Sequence, residues 1–235
     1  MKKIIAIFVI AFGIYSCSDS NSPTNLPEVK IVSELSSPLV SVFRNVKPNE
    51  QIQANEVDSI KISSIKVLMS ELKLFSQSDD SSSDGRLNKV GPFAYFVDSV
   101  NTIRLLATGT VPAGLYDKLK LEFHRFDSNE ISSYINNSDL KEFATNDRYS
   151  VIVKGVKYKS GIATHFAYYA TTTVNLMFKF APAIDLTESS TTTFAIQLDP
   201  NIMFTKNSSL LDPTNSSNVS AIENNIKNML KLIKK

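Results

Sequence analysis

The chain has 235 residues, 25 basic and 23 acidic side chains, two histidines, one cysteine and no tryptophan. Two of the basic residues, Lys2 and Lys3, precede an apolar run, so the rest of the chain balances its acids and carries no electrostatic footprint for nucleic acid or an anionic lipid surface. The length suffices for a β domain with a sizeable core, and a lone cysteine excludes an internal disulfide framework.

The first element is a charged start, Met1-Lys2-Lys3, followed by an apolar run from Ile4 to Ile14. The run falls short of the roughly 20 apolar residues that span a bilayer, and it has the length of a signal-peptide core. Ile14-Tyr15-Ser16-Cys17 resembles the lipobox of bacterial lipoproteins, with Tyr15 standing where a small residue is usual. The resemblance implies that residues 1–16 are a signal peptide removed on export. It also implies that the Cys17 thiol carries a diacylglycerol and becomes the amino terminus. A lone thiol is a liability in an oxidising compartment, and on this reading Cys17 is a membrane anchor. Residues 18–27, SDSNSPTNLP, are polar with two prolines and are expected to be a flexible tether ending where a β domain starts at residue 28. Ser18-Asp19-Ser20 resembles the export signal of surface lipoproteins in Bacteroides-like bacteria, while Asp after the cysteine in enteric bacteria implies inner-membrane retention. The cell envelope is the expected location, with the outer membrane favoured and the leaflet open.

From Asp58 to Phe75 apolar residues alternate as Ile60 and Ile62, then Ile65, Val67 and Met69, then Leu72 and Leu74. The period of two predicts strands, and the phase slips at Ser63-Ser64 and Ser70-Glu71 predict a bulge and a break. The same period recurs at Leu119 to Phe123, Val151 to Val153, Val174 to Phe180 and Phe194 to Leu198. Shorter strands are expected at Val29 to Leu35, Leu39 to Phe43, Phe93 to Val97, Ile103 to Ala107 and Phe166 to Ala170. Eight to ten such strands over residues 28–218, with no βαβ alternation and no internal repeat, predict an all-β chain folded as an antiparallel β-sandwich.

Two insertions interrupt the pattern. SQSDDSSSDGRLNKVGP reads as a polar hairpin loop, and the stretch from Ser128 to Asn146 reads as a crossover with a short helix around Ser138 to Phe143. In the tail, Ile222, Ile226, Met229, Leu230 and Ile233 recur with helical spacing behind a Ser220–Glu223 capping box, with lysines in the last turn. Residues 219–235 are therefore expected to form a C-terminal amphipathic helix packed on the sandwich.

Sites are sparse. His124 and His165 are far apart in sequence and lack metal-ligand spacing, so no metal or cofactor is assigned to them. Asp80, Ser82 and Asp84 occupy the first, third and fifth positions of a calcium-type loop, but Gly91 stands where the bidentate Glu belongs. No nucleotide-binding or nucleophile motif occurs, and no acid pair is nominated among Asp98, Asp117, Asp185 and Glu188. Catalytic residues are therefore set at none. Tyr158, Phe166, Tyr168 and Tyr169 are the aromatic candidates for stacking on a sugar, and Tyr168 and Tyr169 must point to opposite faces of a strand.

Val111-Pro112-Ala113-Gly114-Leu115-Tyr116 is a turn that feeds a strand. VPAGLYDKLKLEF, followed by YSVIVKG and later by FAIQLDPNIMF and LLDPTNSSN, is similar to a domain of unknown function in exported bacterial lipoproteins. That resemblance implies an immunoglobulin-like or transthyretin-like sandwich in the envelope and brings no catalytic residue. The function expected first is non-enzymatic, in binding, adhesion or assembly, with a protein or glycan partner at the cell surface and strand edges or loops as contacts. A carbohydrate- or calcium-binding module of a glycan-uptake system is the second expectation, and a hydrolase with an unrecognised site the third.

Overall fold

The structure is a computed structural model and describes residues 25–36, 41–43, 56–77, 89–98 and 103–235. In chain order, β1 (Glu28–Leu35), β2 (Ser41–Phe43), β3 (Ser59–Met69), β4 (Glu71–Ser76), β5 (Lys89–Val90), β6 (Phe93–Asp98), β7 (Arg104–Thr110) and β8 (Gly114–Phe123) form the first half. After a crossover holding α1 (Ile131–Tyr134) come β9 (Val151–Lys159), β10 (Ile162–Ala170), β11 (Val174–Leu186) and β12 (Thr191–Leu198). The rest comprises α2 (Pro200–Met203), β13 (Thr205–Lys206), β14 (Ser209–Leu210), α3 (Val219–Ile226) and β15 (Leu230–Lys234).

The strands build three sheets, ordered β15-β12-β1-β7, β10-β9-β3-β2 with β6 also on β3, and β11-β8-β4-β5, beside a small β13-β14 hairpin. The chain is mostly β with several antiparallel sheets, consistent with an all-β sandwich. One pairing departs from the antiparallel expectation: β1 runs parallel to β12 while pairing antiparallel with β7. Sequence alternation cannot distinguish the two, because both orientations present the same period of two.

β3 explains the predicted phase slips. Its register against β9 shifts between Ile62 and Ser64, so Ser63 is the extra residue of a bulge, and Ile60, Ile62, Ile65, Val67 and Met69 all face inward. At Ser70 the chain leaves β3 and enters β4, which pairs with β8 instead. The Ser70 N–H and hydroxyl both donate to the Glu122 carbonyl, at 3.0 and 3.1 Å, and hold the corner. Gly91 lies against that corner with φ +142°, and a Cβ there would approach the Ser70 carbonyl oxygen to 2.6 Å, so glycine is required.

One apolar core takes residues from all three sheets, among them Ile31, Ile65, Leu74, Leu121 and Phe194. A second cluster lies on the outer face of the β3–β9 sheet, where Leu68 and Ile152 are covered by Phe126, Leu140, Phe143 and Ala144 of the crossover. The predicted helix at Ser138 to Phe143 is replaced by turns, and the helical turn falls at Ile131–Tyr134. The Asn137 side chain accepts from the Asp139 and Leu140 N–H groups at 2.9 and 3.1 Å, offering the backbone a turn in place of a helix.

The tail corrects the expectation of a helix over 219–235. α3 ends at Ile226, and Leu230 to Lys234 form an antiparallel edge strand on β12, with Leu230 opposite Leu198 and Leu232 opposite Ile196. Asn224, Asn225 and Asn228 are weak helix formers, and the Asn225 amide is drawn out to the Met203 and Thr205 carbonyls. Ser220 does not cap the helix: Asn218 holds that position without a side-chain bond, and no basic residue lies in the last turn.

Tyr116 begins the inward face of β8 at 2% exposure, and its hydroxyl donates back to the Pro112 carbonyl at 2.8 Å. The Pro-Ala-Gly-Leu-Tyr segment is therefore a corner tied by its own tyrosine, a device found in sandwich domains. Replacing Tyr116 by Phe is expected to lower unfolding stability by about 1 kcal/mol, seen as a lower urea midpoint at unchanged slope.

Candidate functional site

The β9–β10 hairpin turns through Ser160 and Gly161, both with positive φ (50° and 77°), the geometry that matches the twist of two paired strands. The Ser160 N–H is held by the Asp58 carboxylate at 2.6 Å. A two-residue turn makes Lys159 and Ile162 the closing hydrogen-bonded pair, and the register then runs unbroken to Val151 and Ala170. Even-numbered residues of β10 thus aim their backbone groups at β9. Ala163, His165, Ala167 and Tyr169 aim theirs away, and among the described residues no strand pairs with that side.

Other sheet edges carry features that discourage pairing. β15 carries Lys231 and Lys234; β7 pairs with β1 through a bulge and contains Arg104 and Gly109; β11 contains Lys179, Pro182 and a register shift. β2 and β5 are three and two residues long, and β6 runs from behind Pro92 to Asp98. β10, IATHFAYYA, is nine residues long with no Lys, Arg, Asp, Glu, Pro or Gly and no bulge. By this comparison it is the least protected edge among the described strands.

The strand is packed on its inner face. Gly155 of β9 lies opposite Phe166, and the Phe166 ring crosses the space a side chain would fill. Phe166 and Tyr168 are buried, and each meets the Phe204 ring edge-on, at 5.9 and 5.8 Å. The Tyr168 hydroxyl is buried without a hydrogen-bond partner, and burial raises its pKa above the ordinary phenol value. Under the adjoining hairpin, Lys157 bonds both Asp212 carboxylate oxygens at 2.7 Å, with both side chains largely buried. Burial alone would raise the Asp212 carboxyl, but Lys157 and the Thr214 N–H and hydroxyl favour the charged form and bring it below its usual value.

The aromatic candidates separate. Phe166 and Tyr168 lie inside, where no sugar reaches them. Tyr169 is 45% exposed and packs on Tyr149 with ring centroids 4.5 Å apart. Tyr158 is half-buried opposite Ala163, roughly 20 Å along the hairpin from Tyr169. His165 is exposed on the free edge of β10, and His124 lies half-exposed 3.8 Å from Glu122. Cys17 and the loop residues Asp80, Ser82 and Asp84 lie outside the described residues.

No β10 residue lines either of two concavities. One, of about 390 Å³, lies between β6, β7 and the crossover, where Lys66 and Arg104 flank the Phe96 ring at 5.2 and 4.6 Å. Its cations already have acids: Arg104 bonds Asp98 at 2.6 Å, and Glu142 is clasped by Lys154 and Lys66, which hold its carboxyl below the ordinary range. The other, about 190 Å³, is lined by Glu71, Glu122, Glu130 and His124, yet Glu71 and Glu122 pair with Lys73 and Lys120. Among the described residues no three His, Cys, Asp or Glu side chains are placed to share a metal, and no helix is long and apolar enough to cross a membrane.

Comparison with protein-family models, curated proteins and solved structures finds no match to this chain. The aromatic positions of β10 and the use of strand edges as contacts are legible in the sequence, but not that β10 is such an edge. The accessible signal was Ser160-Gly161 between two alternating runs, which marks a tight hairpin.

Adding a methyl group at Gly155 brings a Cβ to 2.4 Å from the Lys61 carbonyl oxygen and 3.0 Å from the Phe166 ring. Gly155→Ala is therefore expected to destabilise the fold by about 1–3 kcal/mol in denaturant melts. Lys157→Met leaves Asp212 buried without its cation, at an expected cost of about 2–3 kcal/mol near neutrality. Because the folded Asp212 value is depressed, this contribution is complete above the unfolded carboxyl value. It disappears as pH falls through the folded one, so the parent and variant melting curves should converge in acid below the unfolded carboxyl value.

Proposed function

We propose that this chain is a non-enzymatic lipoprotein of the cell envelope, held to a membrane by acylated Cys17, that acts in binding, adhesion or assembly by accepting a partner strand. The observation that carries the binding part is the free edge of β10: nine residues without charge, bulge or proline, with four backbone positions turned outward. The lipobox-like Ile14-Tyr15-Ser16-Cys17 supports the tether, and the outer membrane is its proposed site. The Tyr116 corner and the layered sheets support an immunoglobulin-like or transthyretin-like sandwich and the likeness to exported domains of unknown function.

At its near end the tether enters the domain directly. The Asn25 carbonyl accepts from the Ser189 N–H at 2.7 Å and the Pro27 carbonyl from the Val111 N–H at 3.1 Å. Residues 18–24 then span at most about 25 Å, which keeps the domain close to the bilayer. Intact mass of the protein extracted from membranes, combined with protease treatment of whole cells, tests the tether. A mature chain starting at an acylated Cys17 is expected, and shaving reports the leaflet. An unmodified Cys17 in the membrane fraction contradicts it.

A further inference from the structure

Resting on the reading of β10 as an open docking edge, we infer that its partner is the β10 strand of a second copy of the chain, paired antiparallel about a two-fold axis through Phe166. A two-fold axis beside an edge strand brings it against its own image in the antiparallel sense, which is the geometry of a self-complementary interface. The four outward backbone positions, Ala163, His165, Ala167 and Tyr169, are symmetric about Phe166. In that register every one of them finds a hydrogen-bonding mate: Ala163 faces Tyr169 of the second copy and His165 faces Ala167 of the second copy.

Side-chain size and charge agree with this register. On the outer face each large residue meets a small one, Tyr169 against Ala163 and His165 against Ala167, so the strands approach without collision. On the inner face Phe166, its ring already buried over Gly155, lies opposite its own counterpart on the axis without obstructing it, and Ile162, 68% exposed in the single chain, lies against Ala170. The strand has no Lys, Arg, Asp or Glu, so it meets its image without like-charge repulsion. β15, with Lys231 and Lys234, would not. Attachment of every copy to one membrane by a short tether raises the effective concentration at which such edges meet.

The test uses the full chain processed in cells. His165→Cys with Ala167→Cys places thiols opposite one another in the inferred register, at a Cα separation near 5.5 Å that suits a disulfide. Mild oxidation is expected to convert most of this variant to a covalent dimer, with the parent chain forming no covalent dimer because its one thiol, Cys17, carries lipid. Adding Ala163→Pro, which removes an outward N–H while leaving the β9 pairing intact, is expected to cut the dimer yield several-fold without lowering the melting temperature. A second arm offers the His165→Cys chain a synthetic peptide of residues 162–170 with Ala167→Cys and a solubilising lysine tail. If the chains do not cross-link but the peptide does, the second copy is ruled out as partner and the open edge stands. If neither cross-links, both the dimer and the docking edge are overturned.

Discussion

The structure is governed by the obligation of every buried backbone N–H and C=O to find a partner. β3 shows what this demands: its inward side chains Ile60, Ile62, Ile65, Val67 and Met69 are fully buried, and it is paired on one side by β9 and on the other by β2 and β6. Where the chain must leave that sheet, at Ser70, the departing N–H is taken up by the Glu122 carbonyl of β8, so no donor is abandoned at the corner. β1 meets the same demand in the neighbouring sheet, set between β12 and β7. Satisfying the interior leaves the unpaired groups at the sheet margins, and the chemistry of each margin then decides whether it repels or accepts a strand.

Rigidity at β10 comes from the layer beneath it. Gly155 admits the Phe166 ring, Phe204 meets Phe166 and Tyr168 edge-on, and Lys157 ties the hairpin to the segment that carries Asp212 and Asn218. The Asn218 amide donates to the Asp212 carbonyl at 3.1 Å, and α3, which starts beside it, buries Ile222 and Ile226 in the core. A strand supported in this way keeps its outward backbone groups in a fixed extended array. Such preorganisation lowers the entropic cost of adding another strand.

Most strands were legible because burial imposes a period of two, and both phase slips in the Ile60 to Phe75 run correspond to physical events, a bulge and a sheet change. The tail was misread for a related reason. Ile222, Ile226, Met229 and Leu230 fit a helical period, but Leu230 and Leu232 fit a strand equally well, and the unpaired side of β12 decided between them. Neither the parallel β1–β12 pairing nor the order of strands leaves a local pattern in the chain, because both arise from contacts between its distant ends. For the same reason Phe166, Tyr168 and Tyr169 could be picked out as aromatics on a strand, while the fact that this strand ends its sheet could not. The lipid tether stands apart: it is read from four residues, Ile14 to Cys17, whose significance is chemical recognition and not folding.

Residue-resolved amide hydrogen exchange along β10 at low protein concentration distinguishes an open outer edge from a covered one. An open outer edge predicts alternation, with Thr164, Phe166 and Tyr168 protected by their bonds to β9 and Ala163, His165, Ala167 and Tyr169 exchanging fast. Uniform protection along the strand would mean that its outer edge is already covered within the single chain, and the docking account would be wrong.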